Sequence, residues 1–228
     1  MNKVGEMLEQ SLVIIKPDGT VRRRVGALVL QALLDRGYHI SAFKEMKVSE
    51  TLAKMHYAVH KEKPFFPWLV NFITSAPVLV TIFKGEDVIE GIREALGATF
   101  VQNSDSDSLR GKYGIWAGIN IAHASDAPET AQTEIALWVT HGGLKASDDA
   151  EELAYDYIQH YNTGNVDYTM KLRSIVKESI ENQDIPSDIQ ESLVSILKKD
   201  AAGIAINDIK ALARTIHDFI KEEVEKTS

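Results

Sequence analysis

The order of short apolar runs and helical stripes is what most restricts the fold of this chain. Leu12-Val13-Ile14-Ile15 is a β-branched-rich run ended by Lys16-Pro17-Asp18-Gly19, which predicts a buried strand running into a turn. Residues 26–35 carry Leu28, Leu30, Leu33 and Leu34 near helical spacing, with Arg36-Gly37 as the stop. Tyr38 to Val48 alternates in part and predicts a second strand. Ser49 is placed to N-cap a helix over residues 50–60, and Pro64 separates it from a second helix starting near Phe66. Residues 77–83 predict another strand, and residues 86–96 an amphipathic helix ending at Gly97. Residues 98–114 predict a long polar loop. Ile119 and Ile121 suggest a short strand before His123, and Asp126 and Pro128 open a helix through Trp138. The order is β-α-β, a helical pair, then β-α-β. That order predicts an α+β fold with a ferredoxin-like, split βαβ antiparallel sheet.

Beyond residue 147 the signals are all helical: residues 149–161, residues 168–182, a helix opened by Pro186-Ser187, and a last stripe from Ile209 to Val224. Charge changes at the same place. Residues 1–145 hold sixteen basic and sixteen acidic side chains, whereas residues 146–228 hold nine and seventeen, the whole of the net −8. Two segments are therefore expected, a domain over residues 1–145 and an acidic helical extension over residues 146–228, the latter a separate unit outside the catalytic apparatus. Neither segment has the basic surface that nucleic acid requires. The absence of cysteine removes disulfides, thiolate metal sites and cysteine nucleophiles. No apolar run reaches the roughly 20 residues of a membrane span. The opening residues, MNKVGEMLEQ, lack the apolar stretch of a secretory signal, so a cytoplasmic location is expected.

Asn120-Ile121-Ala122-His123-Ala124-Ser125-Asp126 is the most informative segment. It resembles the N-x-x-H-x-S-D signature of nucleoside diphosphate kinases. The resemblance runs from about residue 11 to residue 144. It takes in Lys16-Pro17-Asp18-Gly19, Pro64-Phe65-Phe66-Pro67, Arg93, Thr99, Arg110-Gly111 and Glu134-Ile135-Ala136-Leu137-Trp138, in the family's order and near its spacing. A neutral imidazole suits such chemistry, because it attacks phosphorus at neutral pH and forms a labile N–P bond.

The resemblance implies an enzyme that exchanges a terminal phosphate between an NTP and another NDP by a ping-pong route through phospho-His123. It implies that Lys16, Arg93 and Arg110 contact phosphates and that Thr99 and Tyr57 lie beside them. Asn120 is implied to bind the sugar hydroxyl, Glu134 and Ser125 to orient the histidine, and Phe65 to stack on the base. Mg²⁺ is implied as the metal, held chiefly by phosphates and water, with Asp126 the nearest protein group. A homo-oligomer is implied, hexamer over tetramer. The alternative is a regulatory protein on the same fold with weak catalysis, docking a protein partner through the helical tail. Two departures stand out. The loop after Thr99 reads Phe100-Val101 where the family commonly has Asn-Pro, and Asp105 and Asp107 add negative charge near the implied phosphate site. The extension of residues 146–228 matches no family pattern.

Overall fold

A computed structural model describes residues 8–227; the first seven residues, which include most of the opening segment read above, lie outside the described residues. Four antiparallel strands form one sheet in the order β2-β3-β1-β4. They are β1 (Glu9–Ile15), β2 (His39–Met46), β3 (Val78–Gly85) and β4 (Ala122–Ala124). β1 pairs with β3 from Glu9↔Gly85 to Ile15↔Leu79, and its other edge pairs with β4, where Ile14 lies opposite His123. This is the expected split βαβ sheet.

The two-residue alternation of a strand sends neighbouring side chains to opposite faces, and both faces are covered here. Val13, Ile15, Leu79 and Phe83 pack on α2 (Arg23–Leu34) and α5 (Val88–Leu96). Leu12, Ile14, Val80 and Ile82 pack beneath α3 (Glu50–His56), α4 (Phe66–Thr74) and α7 (Pro128–Gly142), with Trp138 fully buried. The α3–α4 pair is the insertion between β2 and β3. Ser49 caps α3 as expected, its hydroxyl accepting from the Leu52 N–H at 3.2 Å.

Three local expectations need correction. Pro17–Val21 is a short helix, α1, rather than a turn, because Pro17 at its first position is already set for helical φ. The polar loop of residues 98–114 contains a 3₁₀ turn and a one-turn helix, α6 (Leu109–Tyr113). Ser108 caps α6 by accepting from the Gly111 N–H at 3.1 Å. His123 lies inside strand β4 rather than after a strand. Ile121, read as strand, stands at φ 66° and makes the turn into it.

The extension folds as four helices: α8 (Ala150–Tyr161), α9 (Thr169–Glu181), α10 (Ile189–Leu197) and α11 (Ile206–Thr227). It is not a unit apart. Ala150, Ala154, Tyr157 and Ile158 of α8 belong to the same cluster as the α2 face of the sheet. Leu172, Val176, Leu193 and Ile216 close over Val21, Trp68, Phe72, Ile115 and Ile119. Trp68 donates its indole N–H to the Thr215 carbonyl at 2.9 Å. β2 is an edge strand, whose open N–H and C=O groups invite pairing with another chain. The Glu151 carboxylate accepts from the Ile40 N–H at 3.0 Å, and the Ser147 N–H donates to the Ser41 carbonyl at 3.0 Å. The extension thus satisfies part of the free edge.

The two segments share buried clusters. Leu172→Ala is expected to cost roughly 2–5 kcal/mol and to lower a single thermal transition for the whole chain, as followed by calorimetry. Two transitions, with only the smaller one moved by the substitution, would show the extension to be independently folded.

Candidate active site

His123 is held by its strand and by an acid. Its backbone lies in β4 against β1, and its Nε2 meets Glu134 Oε1 of α7 at 2.8 Å. The other carboxylate oxygen of Glu134 accepts from Ser125 Oγ at 2.7 Å. Ser125 is fixed in turn, because its Oγ accepts from the Leu12 N–H at 3.1 Å and its own N–H donates to the Leu12 carbonyl. A carboxylate can only accept, so the His123 proton sits on Nε2 and the Nδ1 lone pair is left free. The imidazole is about a quarter exposed, open on one side and anchored on the other.

The loop before His123 is clasped to α1. The Lys16 N–H donates to the Ile121 carbonyl at 2.8 Å, and the Ile121 N–H donates to Asp18 Oδ2 at 3.0 Å. Gly19 is required by this approach, since a β-carbon there would press on Ile15 Cγ2 and the Ile121 carbonyl oxygen. The Lys16 ammonium donates to Asn120 Oδ1 at 2.7 Å and to the Gly118 carbonyl at 3.3 Å. Asn120 donates from Nδ2 to the Thr99 carbonyl at 2.6 Å, which ties the loop of Thr99 to the same group. Arg110, carried by α6, donates to the carbonyls of Gly97 and Ala122, both at 2.9 Å, while its buried Nε has no partner among the described residues. Gly111 lets α6 fold under its own loop, because a β-carbon there would collide with the Asp105 carbonyl.

The site concentrates positive charge away from water. Burial and the neighbouring Arg110 bring the Lys16 ammonium down to about 8, against a raising influence from Asp18. Burial, with Arg93 nearby, brings Arg110 down to about 10. Two buried cations facing one buried carboxylate favour an incoming anion. Burial also raises the Tyr57 phenol, whose hydroxyl has no partner among the described residues. Arg93 is exposed and lines a cleft of about 540 Å³ with Asp126, Glu9 and Asp87. Asp105 and Asp107 are exposed, and Asp105 Oδ1 accepts from the Asp107 N–H at 2.8 Å, so the loop's acids turn outward. Phe65 is 43% exposed at the start of α4, with His60 its ring neighbour at 5.6 Å. The structure brings together His123, Glu134 and Ser125 in one bonded set and Lys16, Asn120 and the Thr99 carbonyl in another, with Arg110 bonded to the Ala122 carbonyl next to His123. Tyr57 stands beside them. Among the described residues, Phe65, Arg93 and Asp126 make no hydrogen bond to these sets.

Sequence reasoning missed two residues. Asp18 lay within a noted motif, but only the fold reveals its bond to Ile121. His56 packs edge-to-face on His123 with ring centroids 4.6 Å apart, and its Nδ1 accepts from Trp138 Nε1 at 3.3 Å. Burial and the neighbouring His123 hold His56 well below the usual imidazole range, so it is neutral. His56, His123 and Glu134 have the spacing of a metal-binding trio. Trp138 only donates, however, which puts the His56 proton on Nε2 and removes the lone pair a cation would need there.

A sequence model of nucleoside diphosphate kinases matches residues 9–143. The nucleoside diphosphate kinase of Synechococcus sp. (strain JA-3-3Ab) is 47% identical over 137 residues, covering 60% of this chain and 91% of that protein. The enzyme of Microcystis aeruginosa is 44% identical over the same length and coverage. Among solved structures, the Halobacterium salinarum nucleoside diphosphate kinase in complex with CDP aligns at TM-score 0.57 and 38% identity, over 65% of this chain and 99% of that one. The Aquifex aeolicus nucleoside diphosphate kinase aligns at TM-score 0.54 and 37% identity, over 57% and 94%. The fold and the matched segment together define a phosphotransferase class. The chain belongs to the nucleoside diphosphate kinase family, and residues 144–228 lie beyond the segment that the family model matches.

The depressed Lys16 gives a pH signature. The free protein carries the ammonium charge below about pH 8 and loses it above, so ADP affinity is expected to fall as pH rises through that value. Bound phosphate favours the charged form and moves the loss to higher pH in the complex. Titration calorimetry across pH checks this. An unchanged alkaline fall in Lys16→Met would assign the effect to another group.

Proposed function

We propose that the chain moves the terminal phosphoryl group of an NTP to another NDP through phospho-His123, in ping-pong order. The observation that carries this is the 2.8 Å bond between His123 Nε2 and Glu134, which leaves Nδ1 as the nucleophile. The Nδ1 lone pair attacks the γ-phosphorus. The N–P bond forms as the bond to the β–γ bridging oxygen breaks, and the NDP leaves with that electron pair. The second NDP attacks the phosphohistidine with its terminal oxygen, and the N–P electrons return to Nδ1. Glu134 accepts the Nε2–H throughout and stabilises the positive ring of the intermediate, with Ser125 holding the carboxylate.

Most of the barrier in such a transfer is lowered by positioning and charge. Lys16, Arg110 and Arg93 take the phosphate oxygens, Arg110 as a two-pronged donor and Lys16 as a point charge. Thr99 and Tyr57 add hydroxyl contacts, Asn120 takes the sugar hydroxyl, and Phe65 stacks on the base. A stacking contact suits any base, and the CDP complex of the Halobacterium relative supports pyrimidine use. The family works with a divalent metal and nucleotide, and we assign Mg²⁺. When bound, Mg²⁺ neutralises the phosphate charge. Asp126 is the one carboxylate proposed for it, which agrees with magnesium's habit of keeping waters and phosphate oxygens. We assign the chemistry to residues 1–145 and a supporting role to the extension of residues 146–228.

The family resemblance favours a homo-oligomer, hexamer over tetramer, although Glu151 and Ser147 occupy part of the β2 edge as a pairing surface. Among the described residues no helix is long and apolar enough to cross a membrane. We propose a cytoplasmic location.

Incubation with γ-labelled ATP is expected to give an acid-labile, base-stable phosphoprotein that discharges to purine and pyrimidine diphosphates alike. His123→Ala should abolish labelling and transfer while the circular dichroism spectrum is kept. Full transfer in that variant would refute the route, and strict selection of one base would refute simple stacking on Phe65.

A further inference from the structure

α6 is a short element near the site and carries Arg110. Five residues make little more than one turn, which has no stability of its own in water. The last carbonyls of any helix lack partners inside it. In α6 those carbonyls are met by two guanidinium groups. Arg173 of α9 donates from Nη2 to the Gly111 carbonyl at 2.9 Å and also to the Gly114 carbonyl, and from Nε to Gly114 at 3.1 Å. Arg22 donates from Nη2 to the Tyr113 carbonyl at 2.8 Å. Arg22 is itself buried and is tied to the extension, donating from Nη1 to Thr169 Oγ1 at 2.8 Å. Cations at a helix C-terminus stabilise it by charge as well as by hydrogen bonding.

The support continues along the chain. Leu172 and Val176, one on either side of Arg173 in sequence, are fully buried in the cluster that contains Ile115, Ala117 and Ile119. One face of α9 thus underlies residues 111–119. That stretch has Arg110 at one end and Asn120 at the other, and Arg110 reaches the Ala122 carbonyl beside His123.

We propose that Arg173 is a positioning residue for phosphotransfer: by holding the end of α6 it aims Arg110 at the nucleotide phosphates, so the C-terminal extension completes the nucleotide site from within the chain. This rests on the phosphate-binding role assigned to Arg110 above. Arginine is needed because its planar fork spans two carbonyls at once, which a lysine ammonium on a flexible stem does not do. The acidic character of the extension does not oppose the role, since the group presented to α6 is one of its few cations.

The test is a double-mutant cycle on the full-length protein, read by ADP affinity and by kcat/KM for transfer. Arg173→Ala is expected to weaken both by about tenfold in an otherwise wild-type chain and to add little in an Arg110→Ala background. Arg173→Lys should lie between, and it serves the same cycle if the alanine variant does not fold. Thermal midpoints of all variants separate aim from stability. Additive losses in the cycle, or losses that follow the midpoint instead of the presence of Arg110, would overturn the proposal. So would ADP affinity and turnover within twofold of wild type in Arg173→Ala. Wild-type protein that binds ADP but transfers no phosphate would refute the phosphotransfer function alone, and the ADP arm of the cycle would still decide the role of Arg173.

Discussion

A single buried carboxylate joins the parts of this molecule. Asp18 is fully enclosed, at 0% exposure, and burial raises its pKa against the pull of Arg22 and Lys16. A carboxylate in such a place costs several kcal/mol unless it is paired and hydrogen-bonded. Here one oxygen takes the Ile121 N–H, and the Arg22 guanidinium lies 3.8 Å from it. Each partner leads elsewhere. Ile121, at positive φ, sets the turn into the His123 strand. Arg22 reaches both Tyr113 at the end of α6 and Thr169 at the start of α9. The strand of His123, the helix that carries Arg110 and the extension therefore meet around one charge.

The same economy of charge explains the site. Lys16 and Arg110 are buried with too few anions near them, which is an unfavourable arrangement in the free protein. The unpartnered Nε of Arg110 belongs to that arrangement. An anion bound there would supply the missing negative charge and hydrogen-bond acceptors, which is the arrangement the proposed phosphate site requires. On the other side, Glu134 and Ser125 fix the imidazole before any ligand arrives. His56, neutral and packed on the ring, adds bulk without a competing charge.

Much of this was legible in the residues. The alternation of Leu12–Ile15, the Ser49 cap and the Pro128 start depend on local rules, and these elements formed where expected. Asn120, His123 and Ser125, which come from one short contiguous stretch, could be singled out from its motif. What stayed hidden was set by distant partners. Pro17–Val21 reads as a turn until the helix is seen to bond Ile121 and support Arg22. Residues 109–113 read as loop because a one-turn helix has no periodicity to detect, and its last carbonyls are met by Arg173, a residue distant in sequence. His56 lies in an amphipathic helix and carries no spacing signal toward His123.

The extension shows why a composition boundary need not be a structural one. Its excess acid marks a change of surface, and most of those acidic side chains are exposed. Its apolar stripes were correctly read as faces needing cover, but each stripe could be covered by its neighbours or by the core, and sequence periodicity does not distinguish the two. Burial decides it. Trp68 and Phe72 are stacked rings of the domain, and Phe219 of the last helix closes on Trp68 at 5.2 Å. The charges divide only in part: most of the carboxylates face water, but Glu151 meets the β2 edge, Asp200 the Arg24 N–H and Asp208 the Lys47 ammonium, while Arg173 is turned toward α6. An acidic segment can therefore present an arginine to α6 while most of its excess charge stays in water.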